Sequence, residues 1–266
     1  MNAPEAPRRQ IVKQLLARLT LPIEDSGWRV LMYHAVDAHV PDDYMGLRVS
    51  PEAFREQMAW LKEEGFNVAP LTAMGTGVTD GRTIAITFDD GYASQLAAAD
   101  VLAEFGFPAT FFVVPAFLDG HTGQSGYWDR WGYFGWMELK DLAARPGVEI
   151  GCHSLSHVRL TKCNMRELED QTLLARQKLE QWIRQPVTTF SYPHGIFNQR
   201  VAAMVQRAGY RLACSSVCGA NRAPFSWYAL RRTEIGAFDR LSNFSMKLSG
   251  RYDWAAGWQQ LQNRWR

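Results

Sequence analysis

Apolar positions along this chain alternate between two patterns. Thr83–Phe88 is a continuous apolar run of the kind found in strands buried on both faces. Arg29–His34, Ala109–Val114, Val148–Cys152, Val187–Tyr192, Tyr210–Ser215 and Tyr228–Ile235 predict further strands. Between them lie segments with helical spacing. Ser50-Pro51 opens one, with Ser as cap, Pro in the first turn, and Phe54, Met58 and Leu61 along one face. Others are predicted at 94–106, 136–144, 165–183, 198–208 and 239–248; the third of these carries Leu168, Ala175, Leu179 and Trp182 on one face. Strand and helix alternate about seven times, which implies a parallel sheet covered by helices. No glycine-rich phosphate loop follows a strand, so a single-domain α/β barrel is expected rather than a doubly wound nucleotide fold.

The two ends of the chain stand apart. Residues 1–27 form an extension in which Ile11, Val12, Leu15, Leu16 and Leu19 share a helical face, with Arg8, Arg9, Lys13 and Arg18 around it. That face is expected to pack on the barrel, with contact at a membrane surface as the alternative. The barrel is expected over 28–250. A tail at 251–266 places Trp254, Trp258, Leu261 and Trp265 at helical spacing, with the same two readings.

Composition narrows the field. The 266 residues, 47% of them hydrophobic, suit one barrel of roughly 250 residues. A net charge of +2, from 29 basic and 27 acidic residues, gives no footprint for nucleic acid. The four cysteines form no CxxC pair and read as reduced thiols. With no secretory signal and no bilayer-length apolar run, a cytoplasmic protein is expected, peripheral at the inner membrane in the alternative reading. No protein partner is indicated.

Two clusters carry candidate chemistry. Thr87-Phe88-Asp89-Asp90-Gly91-Tyr92 ends one predicted strand, and His153-Ser154-Leu155-Ser156-His157 ends another. Barrel enzymes keep their catalytic groups at such strand ends. Two histidines four apart reach one ion if the turn between them is helical. Adjacent carboxylates point in different directions, so one can complete a triad of metal ligands while the other stays off the metal as a base. A His2Asp site holding a water fits metal-assisted hydrolysis.

These two clusters, in this order and separation, resemble the first two motifs of the polysaccharide deacetylase family, also called carbohydrate esterase family 4 or the NodB homology domain. The resemblance spans roughly 28–236. It implies a distorted (β/α)7 barrel and metal-dependent hydrolysis of acetamide groups on N-acetylated sugars. It further implies Asp89 as catalytic base and Asp90, His153 and His157 as ligands of one divalent ion, zinc first, with cobalt or nickel as alternatives. Ser191-Tyr192-Pro193-His194-Gly195 resembles the third motif, usually Arg-x-Pro-Tyr-Gly, so Tyr192, Pro193 and His194 are candidates for oxyanion and substrate contact through a backbone N–H.

The chain departs from the family pattern in three places. Ser191 stands where the motif has the arginine that pairs with the base, and His194 where it has tyrosine. The fourth motif is missing. The late Leu-x-His motif, which carries the catalytic acid, is absent as well, and no histidine follows His194. His34, in Leu31-Met32-Tyr33-His34, is the leading replacement acid; this Tyr-His opening resembles a bacterial subgroup. An aromatic segment offers sugar contacts through Trp128, Asp129 and Trp131. The substrate implied is an N-acetylhexosamine glycan or glycolipid intermediate. The alternatives are an amidase or deformylase on a non-polymeric or lipid-linked amide, and a non-catalytic carbohydrate-binding relic.

Overall fold

The computed structural model describes residues 8–22, 27–38, 43, 46–74, 81–120 and 131–257. The elements run α1 (Arg8–Leu19), β1 (Arg29–Tyr33), β2 (Ala35–Val36), β3 (Arg48–Val49), α2 (Pro51–Glu63), β4 (Asn67–Val68) and β5 (Thr83–Phe88). They continue with α3 (Gln95–Phe105), β6 (Ala109–Val113), α4 (Pro115–Leu118), α5 (Trp136–Ala143) and β7 (Val148–Cys152). Last come α6 (Met165–Glu169), a π-helical turn (Asp170–Leu174), α7 (Ala175–Ile183), β8 (Thr189–Ser191), α8 (Gln199–Arg207), β9 (Leu212–Cys214), β10 (Thr233–Glu234) and α9 (Leu241–Leu248).

Every residue of β1, β5 and β6 is buried, as a parallel sheet with both faces covered requires. The strands follow the order β10-β1-β5-β6-β7-β8-β9, and β4 lies beside the first residues of β5. All the pairings in this sheet are parallel. One segment joins its two outer edges. Leu230 pairs with Cys214, its N–H donating to Ala213 O at 2.9 Å and its carbonyl accepting from Ser215 N at 2.8 Å. Three residues further on, Thr233 pairs with Leu31 of β1. The sheet therefore curls into the distorted (β/α)7 barrel that the alternation and the resemblance imply. The strand expected over 228–235 is regular only at its end, because this segment leaves one edge of the sheet at Leu230 and joins the other at Thr233.

Ser50 caps α2 as its position suggested, its Oγ accepting from Ala53 N at 3.2 Å. The helix expected at 165–183 contains the π-helical turn, which inserts extra backbone and rotates the face that follows. Leu168, Ala175 and Leu179 are buried as expected, but Trp182 lies at the rim and Ile183 is buried in its place. The Trp182 indole donates to Trp136 O at 2.7 Å.

The two ends bring one correction. The aliphatic face of α1 points outward: Ile11, Val12, Leu15, Leu16 and Leu19 are exposed, while Ala17 on the opposite side is buried. At the other end, Asp253 receives two hydrogen bonds from Arg29 of β1 (2.9 and 3.0 Å), which tie residues after α9 to the barrel. Trp258, Leu261 and Trp265 lie outside the described residues.

Candidate metal centre and active site

The carboxylate pair sits where β5 ends. Asp89 is still strand-like, its N–H donating to Tyr33 O at 3.0 Å. The next two residues turn left-handed, with φ of 76° at Asp90 and 79° at Gly91. That reversal sends the two neighbouring carboxylates apart. The buried Gln95 amide fixes the corner by donating to Asp89 O (2.6 Å) and His34 O (3.0 Å), which ties the ends of β5 and β1 together.

The histidine loop is built differently from expectation. The turn after β7 is not helical: Ser154 and His157 have φ of 65° and 56°. Left-handed backbone in non-glycine residues is costly and persists only where the surroundings impose it. Here Ser154 Oγ accepts from His157 N at 3.0 Å. Gln171, from the π-helical turn, clamps the loop through Oε1, which accepts from Leu155 N and Ser156 N at 3.1 Å each. Its Nε2 donates to Ser156 Oγ at 2.8 Å. Both imidazoles still converge on Asp90.

Nε2 of His153 and Nε2 of His157 each lie 3.4 Å from Asp90 Oδ1. The three ligand atoms fall within 4.8 Å of one another. A tetrahedral ion with bonds of about 2.0–2.1 Å holds its ligand atoms roughly 3.4 Å apart, so the spacing suits such an ion. His153 Nδ1 contacts Ser191 O at 2.8 Å. A carbonyl only accepts, so the proton sits on Nδ1 and the Nε2 lone pair faces the cluster. Burial pushes the imidazoles of His153 and His157 down to about 4 and about 3, which keeps both neutral. Asp90 Oδ1 is buried without a hydrogen-bond partner in the structure. An orphaned buried carboxylate oxygen between two neutral imidazoles fits a divalent cation.

Asp89 stands beside this cluster with a partner of its own. Arg232, fully buried between β9 and β10, donates from its two terminal nitrogens to Oδ1 and Oδ2 of Asp89, at 2.7 Å each. It also donates to Ser191 Oγ (2.9 Å) and Ser215 O (2.8 Å). Burial alone would raise the Asp89 pKa; Arg232 and His153 outweigh it and hold the carboxyl well below the usual carboxylate range. The ion pair that Ser191 seemed to forfeit is thus present. Its arginine comes from the end of the chain, and Ser191 leaves room for the guanidinium. Sequence reading missed Arg232, although a charged residue inside a segment read as a buried strand was its signal.

A cavity of about 460 Å³ opens over these groups and is also lined by His34, Tyr92, Tyr133, Arg159 and Glu234. His34 shares it with Asp89, and its Nδ1 is buried without a partner. His194, at φ 59°, faces the cavity, and its ring lies 4.6 Å from that of His157. Gly195 allows that turn, since a Cβ there would collide with Ser216. Tyr192 and Pro193 are buried behind the cavity wall. Tyr192 stacks on Phe197 and its hydroxyl donates to Tyr228 O at 2.9 Å, so only its backbone is near the site. Trp131 is 9% exposed and packs against Tyr92 instead of lining the cavity. Half-buried Tyr133 lines the cavity together with Tyr92 and Phe117. Trp128 and Asp129 lie outside the described residues.

A barrel with a candidate three-ligand cluster and an ionised carboxylate at its strand ends is an arrangement that suits a hydrolase. The polysaccharide deacetylase family model matches residues 76–213, and the chain belongs to that family of hydrolases acting on carbon–nitrogen bonds. The chain is 24% identical over 212 residues to Bacillus subtilis YxkH, whose deacetylase name is itself provisional; the match covers 77% of this chain and 70% of that one. It is 31% identical over 134 residues to the peptidoglycan-N-acetylglucosamine deacetylase of Bacillus cereus, covering 49% of this chain and 54% of the relative. The poly-beta-1,6-N-acetyl-D-glucosamine N-deacetylase of Escherichia coli O157:H7 is matched over only 22% of its length, at 27% identity and over 53% of this chain. The solved Streptococcus pyogenes deacetylase PplD superimposes with a TM-score of 0.73 at 19% identity, covering 86% of this chain and 99% of that one. That likeness concerns the fold.

Proposed function

We propose that the chain is a divalent-metal-dependent N-deacetylase acting on an N-acetylhexosamine in a glycan or glycolipid intermediate. One observation carries the reading: a carboxylate held ionised by a buried arginine stands beside a three-ligand cluster at the floor of an open cavity. Asp90, His153 and His157 would hold the ion, which when bound lowers the pKa of water and polarises a carbonyl. Asp89, unprotonated across the working pH range, accepts a proton from the attacking water. His34, which lines the same cavity beside Asp89, protonates the departing nitrogen. The backbone N–H of His194 supports the developing oxyanion. Membership of a deacetylase family and the deacetylase names of the relatives support the acetamide as the group cleaved.

The test is acetate release from chitooligosaccharides, glucosamine polymers and nucleotide- or lipid-linked N-acetyl sugars, with and without chelator. Release that chelator abolishes, and that Asp89→Asn lowers by about a hundredfold or more, is the expected result. Turnover of only non-glycan amides would assign the same site to an amidase. Sugar binding without turnover in added metal would make it a carbohydrate-binding relic.

A further inference from the structure

The outward face of α1 is a feature the proposed reaction leaves unused. The helix is docked through its opposite side, where Ala17 is buried and Arg251 donates to Thr20 O at 2.8 Å. Its aliphatic stripe runs from Ile11, at 46% exposed, to Leu19, at 83%, and Leu21 beyond the helix is 81% exposed. A contiguous aliphatic surface of this kind marks an interaction site.

The surroundings decide what it meets. Two clefts, of about 960 and 460 Å³, flank the helix and share Arg18 in their walls. The larger also presents Arg82 and Arg251, the smaller Arg48 and Arg240. Among the described residues, the acids in these walls are Glu64 and Asp239, and Asp239 is already paired with Lys247 at 2.5 Å. The helix itself, RRQIVKQLLARL, contains no acid. A second copy docking on this face would set arginine walls against arginine walls, which opposes self-association. At 12 residues the helix is too short to span a bilayer. Aliphatic side chains flanked by cations on both sides match the boundary between acyl chains and anionic headgroups.

We propose that the α1 face is a membrane-docking surface: Ile11, Val12, Leu15, Leu16 and Leu19 insert at the headgroup boundary of an anionic bilayer, with Arg18 and Arg240 against lipid phosphates. This rests on the surface alone and is independent of the reading of the active site. The full chain is sedimented with vesicles of phosphatidylcholine alone and of phosphatidylcholine with phosphatidylglycerol. Binding to the phosphatidylglycerol vesicles is expected. Leu15→Glu/Leu16→Glu should weaken it roughly tenfold or more. Arg18→Glu/Arg240→Glu should weaken it most at low salt. Both double variants should melt with the wild type, since the changed residues lie on the surface. Three results would overturn the proposal: no preference for the anionic vesicles, wild-type binding by Leu15→Glu/Leu16→Glu, or a dimer in light scattering that this variant dissolves without any vesicle binding.

Discussion

Arg232 holds Asp89 through two parallel hydrogen bonds of 2.7 Å, one to each carboxylate oxygen. The two residues are far apart in the chain, and both are buried. A fork-to-carboxylate pair of this geometry fixes orientation as well as charge. Its arginine enters from the segment joining β9 to β10 and ends on Ser191, the position where the family motif carries the arginine itself.

Arg232→Ala should therefore cost about 3–5 kcal/mol of stability, because it strands a buried carboxylate. Arg232→Lys should fold better, yet fail to restore full activity, because a point charge cannot grip both oxygens. Adding Ser191→Arg to Arg232→Ala should recover part of the melting temperature and of acetate release. Thermal unfolding and kcat/KM on the three variants check this.

Gln171 touches no ligand atom, but it supports the loop that carries both histidines. Gln171→Leu keeps the volume and removes all three hydrogen bonds to Leu155, Ser156 and the Ser156 hydroxyl. Loss of an outer support of this kind typically costs 10–100-fold in metal affinity. Calorimetric titration with zinc should show that loss in a variant whose far-UV spectrum matches the wild type.

Metal should stabilise the fold through the same three ligands. At a free metal concentration about a hundredfold above Kd the gain is about 2.7 kcal/mol. For a chain of this size that raises Tm by roughly 5–10 °C. Zinc, cobalt and nickel can be compared by scanning fluorimetry, and Asp90→Ala or His157→Ala should remove the response.

The metal-free protein should be acid-sensitive in a defined window. Burial lowers His153 to about 4 and His157 to about 3, against an ordinary value of 6.5. Below 6.5 the unfolded chain binds protons that the folded chain refuses, so their contribution is complete above that pH and is lost as pH falls toward 4 and then 3. Asp89 adds a loss at still lower pH, since its carboxyl is also held down. Melting of chelator-treated protein between pH 7 and 4 should fall steadily. Saturating metal, which occupies the same lone pairs, should flatten that slope.

His34→Gln tests the proton donor. Acetate release should drop about a hundredfold or more with KM little changed. A substrate whose leaving nitrogen needs no protonation should be spared. An unchanged kcat would remove His34 from the reaction.

Much of this protein is local and can be read directly from the sequence. A six-residue apolar run such as Thr83–Phe88, rich in β-branched residues, is short for a helix and suits a strand covered on both faces, and 3.6-residue periodicity after Ser50-Pro51 buries one helix face, so the alternating architecture follows from near neighbours. The same holds for Asp89, Asp90, His153 and His157, whose spacing within two short motifs brings them to strand ends. Contacts between distant segments are not visible in this way. Arg232 reaches Asp89 only because the barrel closes between β9 and β1, and Gln171 reaches the histidine loop only because a π-helical turn aims it there. The outward stripe of α1 belongs with these. Periodicity shows that five aliphatic residues share a face, but which face meets the barrel depends on how α1 docks, with Ala17 buried and Thr20 held by Arg251.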